Sequence, residues 1–212
     1  MSDLVPVSRS ILQEKYEEAE ARLVSRYIPA DRPVVELGAS LGVISTLIRS
    51  RLDDGVPMVS VEALPHLVEI VRANVARYDA SDATIVLHRA VAYDCRTVSF
   101  STDANLLANR IANAASPDTI EVTAISLAEI VEILENQTGM TLVCDVEGAE
   151  WAIFEHDRKA LEHFDIAVVE VHPEIFSENG HTAEQFETMV EAAGFEIVDR
   201  DKQVLMLART PG

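Results

Sequence analysis

Three carboxylates follow a short apolar run in the segment Thr141–Glu150, which reads Thr-Leu-Val-Cys-Asp-Val-Glu-Gly-Ala-Glu. The run has the length of a buried strand, and a glycine separates the second acid from the third. Neighbouring like charges disfavour ionisation, so packing alone does not explain the cluster. Ligands of open α/β sheets bind at the carboxyl ends of the strands. The segment therefore predicts a functional site around Asp145, Glu147 and Glu150.

A second site signal is the turn Glu36-Leu37-Gly38-Ala39-Ser40-Leu41-Gly42, which joins a short apolar strand to a helical pattern. Glycines there let the backbone approach a ligand closely, and the following helix N-terminus favours polar or anionic groups. Three classes of protein share some of these features.

The first class is the serine hydrolases, because Gly38–Gly42 matches the nucleophile-elbow pattern around Ser40. The chain order also allows Asp145 or Asp165 and then His172 or His181 to complete a triad. In that fold several strands precede the elbow, whereas here only a helix and a loop are predicted before it. The order of elements therefore disfavours a hydrolase.

The second class is the dinucleotide-binding domains, in which an acid about 20 residues after the turn binds a ribose, as Glu62 could. The turn lacks the G-x-G-x-x-G spacing, however.

The third class is the class I methyltransferases, which bind S-adenosylmethionine. There Glu36 would lie near the amino acid portion of the ligand, and Glu62 would accept hydrogen bonds from both ribose hydroxyls.

These motifs depend on alternating strand and helix patterns. Strands are predicted at 34–37, 57–62, 83–88, 98–101, 120–125, 140–145, 165–171, 195–199 and 203–208, and helices at 8–27, 43–52, 65–78, 126–135 and 182–193. Repeated β–α units predict an α/β fold with a mostly parallel sheet and helices on both faces. The last two strands predict an antiparallel hairpin. We expect one domain over 1–212, with 101–119 as an irregular stretch that could form a lid.

The composition of the chain limits the kinds of partner that we expect it to bind. The chain has 212 residues and a net charge of −19, with no basic cluster, so we expect no nucleic-acid partner. Three lysines stand against fourteen arginines, and this acid excess suggests a surface adapted to high salt. A stability that did not respond to molar salt would contradict that hypothesis. No signal peptide or membrane span is evident, and we expect a cytoplasmic protein with no membrane partner.

With Val34–Gly42, Val61–Pro65, Asp145–Glu150 and Val169–His172 taken together, the chain resembles the FkbM-type methyltransferases. That family has a glycine turn, an acid followed by Pro, the hexapeptide Asp-Val-Glu-Gly-Ala-Glu, and a strand that ends in an acid. The resemblance covers roughly residues 30–175, and the hexapeptide is its most diagnostic part. It implies a Rossmann-like class I fold with a seven-stranded sheet, and transfer of a methyl group from S-adenosylmethionine to a hydroxyl of a small metabolite, sugar or polyketide.

The resemblance also implies where the cofactor binds. The candidate cofactor-binding residues are Glu36, Gly38, Ala39, Ser40, Gly42, Glu62, Ala63, Arg89, Ala90 and Asp145. Ala39-Ser40 departs from the Ala-Asn that similar proteins usually carry, although Ser can still donate a hydrogen bond. His88-Arg89-Ala90 stands where similar domains often have an acid, which leaves adenine recognition to the backbone and to side chains that the motif does not specify.

Methyl transfer to an alcohol needs a base within hydrogen-bond reach of the acceptor. His172 is the candidate base because its ordinary pKa suits proton transfer near neutrality, with Asp145 and Glu170 as further catalytic candidates. Glu147 and Glu150 are candidate substrate contacts, and Glu150 could instead cap the following helix.

Two alternatives stay open. Asp145, Glu147, Glu170 and His172 could gather around a hard cation such as Mg²⁺, although no metal ligand is assigned. The domain could also bind a ligand or partner without catalysis. The expected partner is a small hydroxylated acceptor. Oligomeric state is open, and a homodimer is allowed.

Overall fold

Two sheets organise the chain in the computed structural model, which describes residues 17–101 and 119–210. The strands are β1 (Val34–Leu37), β2 (Met58–Glu62), β3 (Thr84–His88), β4 (Ala90–Val91), β5 (Thr97–Ser101), β6 (Thr119–Ile125), β7 (Met140–Cys144), β8 (Phe164–Glu170), β9 (Phe195–Asp201) and β10 (Val204–Arg209). The helices are α1 (Glu18–Tyr27), α2 (Val43–Arg51), α3 (Pro65–Val75), α4 (Leu127–Ile133), α5 (Glu150–His156), α6 (Arg158–Leu161), α7 (Pro173–Glu178) and α8 (Ala183–Ala192).

The main sheet has seven strands in the order β3-β2-β1-β7-β8-β10-β9. Strands β1, β2, β3, β7 and β8 run parallel, while β10 pairs antiparallel with both β8 and β9. This confirms the predicted fold class, including the seven-stranded sheet and the terminal hairpin. The strand order reverses between β1 and β7, which is where an open α/β sheet forms its ligand crevice.

Register brings the two main motifs together at that point. Leu37 and Cys144 are paired at the ends of β1 and β7, and the Asp145 amide donates to the Leu37 carbonyl at 2.9 Å. Gly38 and Asp145 therefore leave the sheet side by side.

A second sheet, in the order β4-β6-β5, contains the strands predicted at 98–101 and 120–125. Its β5–β6 pair is antiparallel, and β6 is mostly exposed or half-buried, as expected for a sheet with one solvated face. Val98, Phe100 and Val122 pack under it against Leu64 and Leu67. The predicted lid begins and ends in these strands, and its residues 102–118 lie outside the described residues.

Alternating strand residues divide the core between the two faces of the main sheet. Val34 and Val143 face the layer of α1 and α2, whereas Val35 and Leu142 face the layer that holds α4 to α8. Helices thus cover both faces, as predicted. Among the described residues, no helix has the length and apolar character needed to cross a membrane.

Local signals explain where several helices begin. Ser126 and Glu129 form a capping box at α4, and Thr182 and Gln185 form another at α8. Pro65 occupies the first turn of α3, where its missing N–H costs nothing. The short helices α6 and α7 were not predicted, because segments of four and six residues carry too little periodicity. The predicted 8–27 helix is described only from Glu18 to Tyr27.

Candidate functional site

The glycine turn after β1 is shaped by a close approach to β7. Gly38 has φ +87°, and a Cβ there would lie 1.7 Å from the backbone carbonyl oxygen of Asp145. Because no side chain fits at that distance, glycine is needed for the two strand ends to meet. Ser40 and Gly42 also have positive φ, and Gly42 precedes the first turn of α2. The turn therefore presents backbone at the crevice.

Glu62 ties this turn to the end of β2. Its Oε2 accepts the Ser40 amide at 2.8 Å, and its Oε1 accepts the Leu64 amide at 2.8 Å. Burial raises the pKa of Glu62, while these backbone hydrogen bonds favour the ionised form. Each carboxylate oxygen can accept a further hydrogen bond, so Glu62 remains able to bind a ligand hydroxyl.

Glu36 lies behind the turn. Its Oε2 accepts hydrogen bonds at 2.6 Å from both Ser45 of α2 and Ser60 of β2, and its Oε1 is buried without a hydrogen bond among the described residues. Burial raises the pKa of Glu36 to about 7, although the two hydroxyls oppose the shift. Glu36 does not line the cavity that Gly38 and Ser40 line.

The acidic hexapeptide turns sharply after β7. Glu147 and Gly148 have φ +50° and +102°, and a Cβ on Gly148 would lie 2.5 Å from Ile175. The turn separates the third acid from the first two. Asp145 and Glu147 line the cavity, whereas Glu150 is fully buried in the first turn of α5.

His172 lies between these acids and the protein interior. Its Nδ1 is 3.1 Å from Oε1 of Glu150, and its Nε2 is 3.6 Å from Oδ1 of Asp145 and 3.7 Å from Oε2 of Glu147. Although burial lowers the pKa of His172, the hydrogen bond and charge of Glu150, with Asp145 and Glu147, raise it to about 9. The imidazole is therefore protonated near neutrality, and it does not line the cavity.

The residues considered for a hydrolase triad have other partners. Asp165 accepts a hydrogen bond from Arg32 at 2.5 Å, and the His181 ring stacks on Trp151 with centroids 3.9 Å apart. His172 is hydrogen-bonded to Glu150. The geometry gives the hydrolase alternative no support.

A cavity of about 410 Å³ opens beside the turn, at the carboxyl ends of the parallel strands. One part of its lining is largely apolar and comprises Ala63, Leu64, Leu67, Ala90, Val91 and Phe100. The other part is acidic and comprises Glu17, Glu18, Glu20, Asp145, Glu147 and Glu170. Apolar pockets of this size with a few converging polar groups are typical small-molecule sites.

The cavity brings together most of the residues that the sequence singled out. Gly38, Ser40, Glu62, Ala63, Arg89, Ala90, Asp145, Glu147 and Glu170 line it. Glu36, Ala39, Gly42, Glu150 and His172 do not line it. Of these five, Glu36, Gly42, Glu150 and His172 support the lining through the hydrogen bonds and turns already described.

Sequence reasoning missed several lining residues, among them Glu20 and Phe100. Glu20 lies on α1 and is buried on the same face as Leu23 and Val24, which follow it by three and four residues. Phe100 lies on β5, in a sheet whose position over the cavity was not predicted. The helical spacing of Glu20 from Leu23 and Val24 is the signal that could have indicated a buried acid on α1.

Burial dominates the electrostatics of the acidic part. It raises the pKa of Asp145 to about 8, with the charge of Glu170 adding to the effect and that of His172 opposing it. It also raises the pKa of Glu170, and it holds that of Glu20 well above its ordinary value. These acids therefore lie in an environment that favours a proton or a bound cation.

Comparison with known proteins identifies a family and a set of structures that share the fold. A family model described as the methyltransferase FkbM domain matches residues 36–197, which is most of the chain. No match was found among curated proteins.

Solved structures of low identity share the fold. An O-methyltransferase from Bacillus cereus in complex with SAH is 14% identical, with a TM-score of 0.53 and coverage of 90% of this chain and 80% of that one. A putative rRNA methylase from Clostridium thermocellum is 7% identical, with a TM-score of 0.56 and coverage of 91% and 94%. A ribosomal protein L11 methylase from Lactobacillus delbrueckii subsp. bulgaricus is 7% identical, with a TM-score of 0.52 and coverage of 90% and 76%. At these identities the likeness concerns the fold.

Proposed function

The chain belongs to the FkbM methyltransferase family and uses S-adenosylmethionine, and from that premise we propose that it methylates a hydroxyl oxygen of a small metabolite, such as a sugar or a polyketide. The observation that carries the proposal is the acidic part of the cavity. Among the described lining residues there are seven carboxylates and only two basic side chains, Arg89 and Lys202. This lining and the net charge of −19 offer few cations to phosphodiesters, so they favour a small uncharged or cationic acceptor over RNA.

The cavity suits the cofactor in both shape and chemistry. Its apolar lining around Leu67 and Phe100 would take the adenine ring, and Glu62 would accept the ribose hydroxyls. The acidic lining complements the positive charges of the sulfonium and the amino group. When bound, S-adenosylmethionine supplies an electrophilic methyl group.

We assign the acceptor side to residues at the ends of β7 and β8. Asp145 would orient the acceptor hydroxyl, and the carboxylate of Glu170 would accept its proton, since burial raises the pKa of Glu170 and makes it a stronger base. Holding the hydroxyl in line with the methyl group supplies much of the acceleration in a displacement of this kind.

For His172 we propose a positioning role in place of the general base that its ordinary pKa suggests. A protonated imidazole cannot accept a proton, and a pKa of about 9 keeps it protonated at neutral pH. Its contacts with Glu150 on one side and with Asp145 and Glu147 on the other would hold the carboxylates in place.

The test starts with binding of S-adenosylmethionine by calorimetry. A panel of hydroxylated sugars and polyketides, beside ribosomal and transfer RNA, then serves as methyl acceptors. We expect formation of a methyl ether on a small acceptor, identified by mass spectrometry and NMR, and no transfer to RNA. Methylation of RNA would contradict the proposal, and cofactor binding without turnover on any acceptor would favour a non-catalytic domain.

A matched pair of variants tests the residue roles. Glu170→Gln should lower kcat by about 10²- to 10⁴-fold, the range expected for loss of a general base. Glu69→Gln removes an exposed acid on α3 and should leave kcat unchanged.

A further inference from the structure

Three carboxylates from distant parts of the chain meet at the acidic end of the cavity. Glu20 comes from α1, Asp145 follows β7, and Glu170 ends β8. One oxygen atom from each lies within 4.8 Å of the others. All three side chains line the cavity, so a ligand in it can reach them.

Glu20 is the unusual member of this group. It is only 4% exposed, and among the described residues its carboxyl group has no hydrogen bond or ion pair, although it points into the cavity. Oδ1 of Asp145 is likewise buried without a hydrogen bond in the described part of the chain. Buried carboxyl groups are almost always partnered, because their desolvation is costly. The arrangement therefore indicates a ligand that brings positive charge.

A neighbouring group supports this interpretation by contrast. Asp145, Glu147 and His172 also converge, and there the imidazole supplies the positive charge. Lys202 lines the same cavity, but its Nζ is 3.9 Å from Glu18 and its side chain is 68% exposed. Neither cation accounts for the buried carboxyl of Glu20.

We propose that Glu20, Asp145 and Glu170 bind a divalent cation, Mg²⁺ or Mn²⁺, at the acceptor end of the cavity. Both ions prefer carboxylate and water oxygens, and three protein ligands leave coordination positions open for water or an acceptor hydroxyl. This ligand set differs from the cation alternative considered from the sequence, because Glu20 replaces Glu147 and His172.

The proposed role of the ion rests on the proposed function. A cation here would hold the acceptor hydroxyl as an oxygen ligand and lower its pKa. Each carboxylate would use one oxygen for the metal, so the second oxygen of Glu170 would stay available for the hydroxyl proton. Cation binding itself requires neither the cofactor nor the acceptor.

The experiment therefore uses the full chain, stripped with chelator and exchanged into metal-free buffer, without cofactor or acceptor. Mn²⁺ is titrated and followed by calorimetry and by the loss of the free-Mn²⁺ EPR signal. We expect one saturable site. Glu20→Gln and Glu170→Gln should each weaken Mn²⁺ binding by about tenfold or more, which corresponds to about 1.4 kcal/mol. Glu69→Gln, which removes an equal charge from the exposed face of α3, should bind Mn²⁺ as the wild type does.

Absence of saturable binding would overturn the proposal, and so would binding that Glu20→Gln leaves unchanged. Circular dichroism and thermal unfolding verify that both variants are folded. Because Glu20→Gln and Glu170→Gln each remove one proposed ligand of the same ion, both should weaken Mn²⁺ binding. S-adenosylmethionine binding is measured separately. A protein that binds Mn²⁺ but not the cofactor would contradict the proposed function and leave the cation site intact, whereas the reverse result would remove the cation site alone.

Discussion

Nδ1 of His172 lies 3.1 Å from Oε1 of Glu150, and both side chains are buried beneath the cavity lining. The same Glu150 oxygen accepts the Val146 amide at 3.0 Å, so it joins the turn after β7 to the end of β8. The pair lies beneath Asp145 and Glu147, which line the cavity. It can therefore hold both acids in place without lining the cavity itself.

Loss of this pair should destabilise the fold. His172→Gln leaves Glu150 fully buried without its cationic partner, and breaking a buried pair costs about 3 kcal/mol. Urea unfolding at pH 7 should show a decrease of that size in the free energy of unfolding. A change under about 0.5 kcal/mol would mean that the imidazole contributes no charge to the pair.

The double variant Glu150→Gln/His172→Gln separates positioning from base catalysis. If His172 acts by positioning, removing both charges should restore part of the stability and part of kcat, because the fully buried Glu150 carboxylate, which the single variant leaves without its cationic partner, is removed as well. If His172 is the general base, the double variant should be at least as slow as the single variant.

The buried Glu36 should make stability depend on pH. Its folded-state pKa of about 7 exceeds the ordinary 4.5, so the protonated form is favoured on folding. The resulting stability is fully present below pH 4.5 and is lost as pH rises through about 7. Glu36→Gln removes this loss. The free energy of unfolding of the variant should therefore exceed that of the wild type by about 1 to 3 kcal/mol at pH 8, with a smaller difference at pH 5. Urea titrations at both pH values measure the change.

The control for Glu36 is Glu69→Gln, which should follow the wild type at both pH values. A wild-type stability that is equal at pH 5 and pH 8, after correction for the control, would contradict the prediction. Because Glu36 does not line the cavity, Glu36→Gln should also keep the Kd for S-adenosylmethionine within about threefold of wild type, which is under 1 kcal/mol.

The close approach at Gly38 should tolerate no side chain. Gly38→Ala would force a Cβ into the Asp145 carbonyl, at a cost of at least about 4 kcal/mol in the free energy of unfolding or with loss of the folded protein. Gly55 is a matched control, since it has φ +80° with nothing within 4 Å of an added Cβ. Gly55→Ala should cost only the left-handed backbone penalty of about 1 to 2 kcal/mol. Equal effects in thermal unfolding would contradict the steric argument.

Glu62 should matter for cofactor affinity. Its carboxylate lines the cavity and also holds the Ser40 and Leu64 amides, so Glu62→Ala removes a ligand acceptor and loosens the turn. The Kd for S-adenosylmethionine should rise by about tenfold or more, corresponding to at least about 1.4 kcal/mol. Calorimetry measures the change, and an unaltered Kd would remove Glu62 from the cofactor site.

Much of the fold could be predicted because its signals are local. Alternating apolar strands and periodic helices predicted the parallel sheet and the terminal hairpin. Parallel strands place their carboxyl ends at one edge, so Gly38, Glu62, Asp145 and Glu170 were expected together, and the cavity contains all four. The second sheet was not predicted. Its strands have the same local sequence pattern as those of the main sheet, and only the pairing of β4, β5 and β6 with one another assigns them to a separate sheet.

What the sequence by itself determined is therefore the fold, the family and the acids that stand at strand ends. The tertiary structure decided which acids line the cavity. The left-handed turn at Glu147 and Gly148 sends Glu150 inward, where it contacts Nδ1 of His172, and this contact underlies the proposed positioning role of His172. Packing of α1 on the sheet brings Glu20 to a site more than a hundred residues away in sequence, and no local pattern encodes such a contact, since it depends on how whole elements pack.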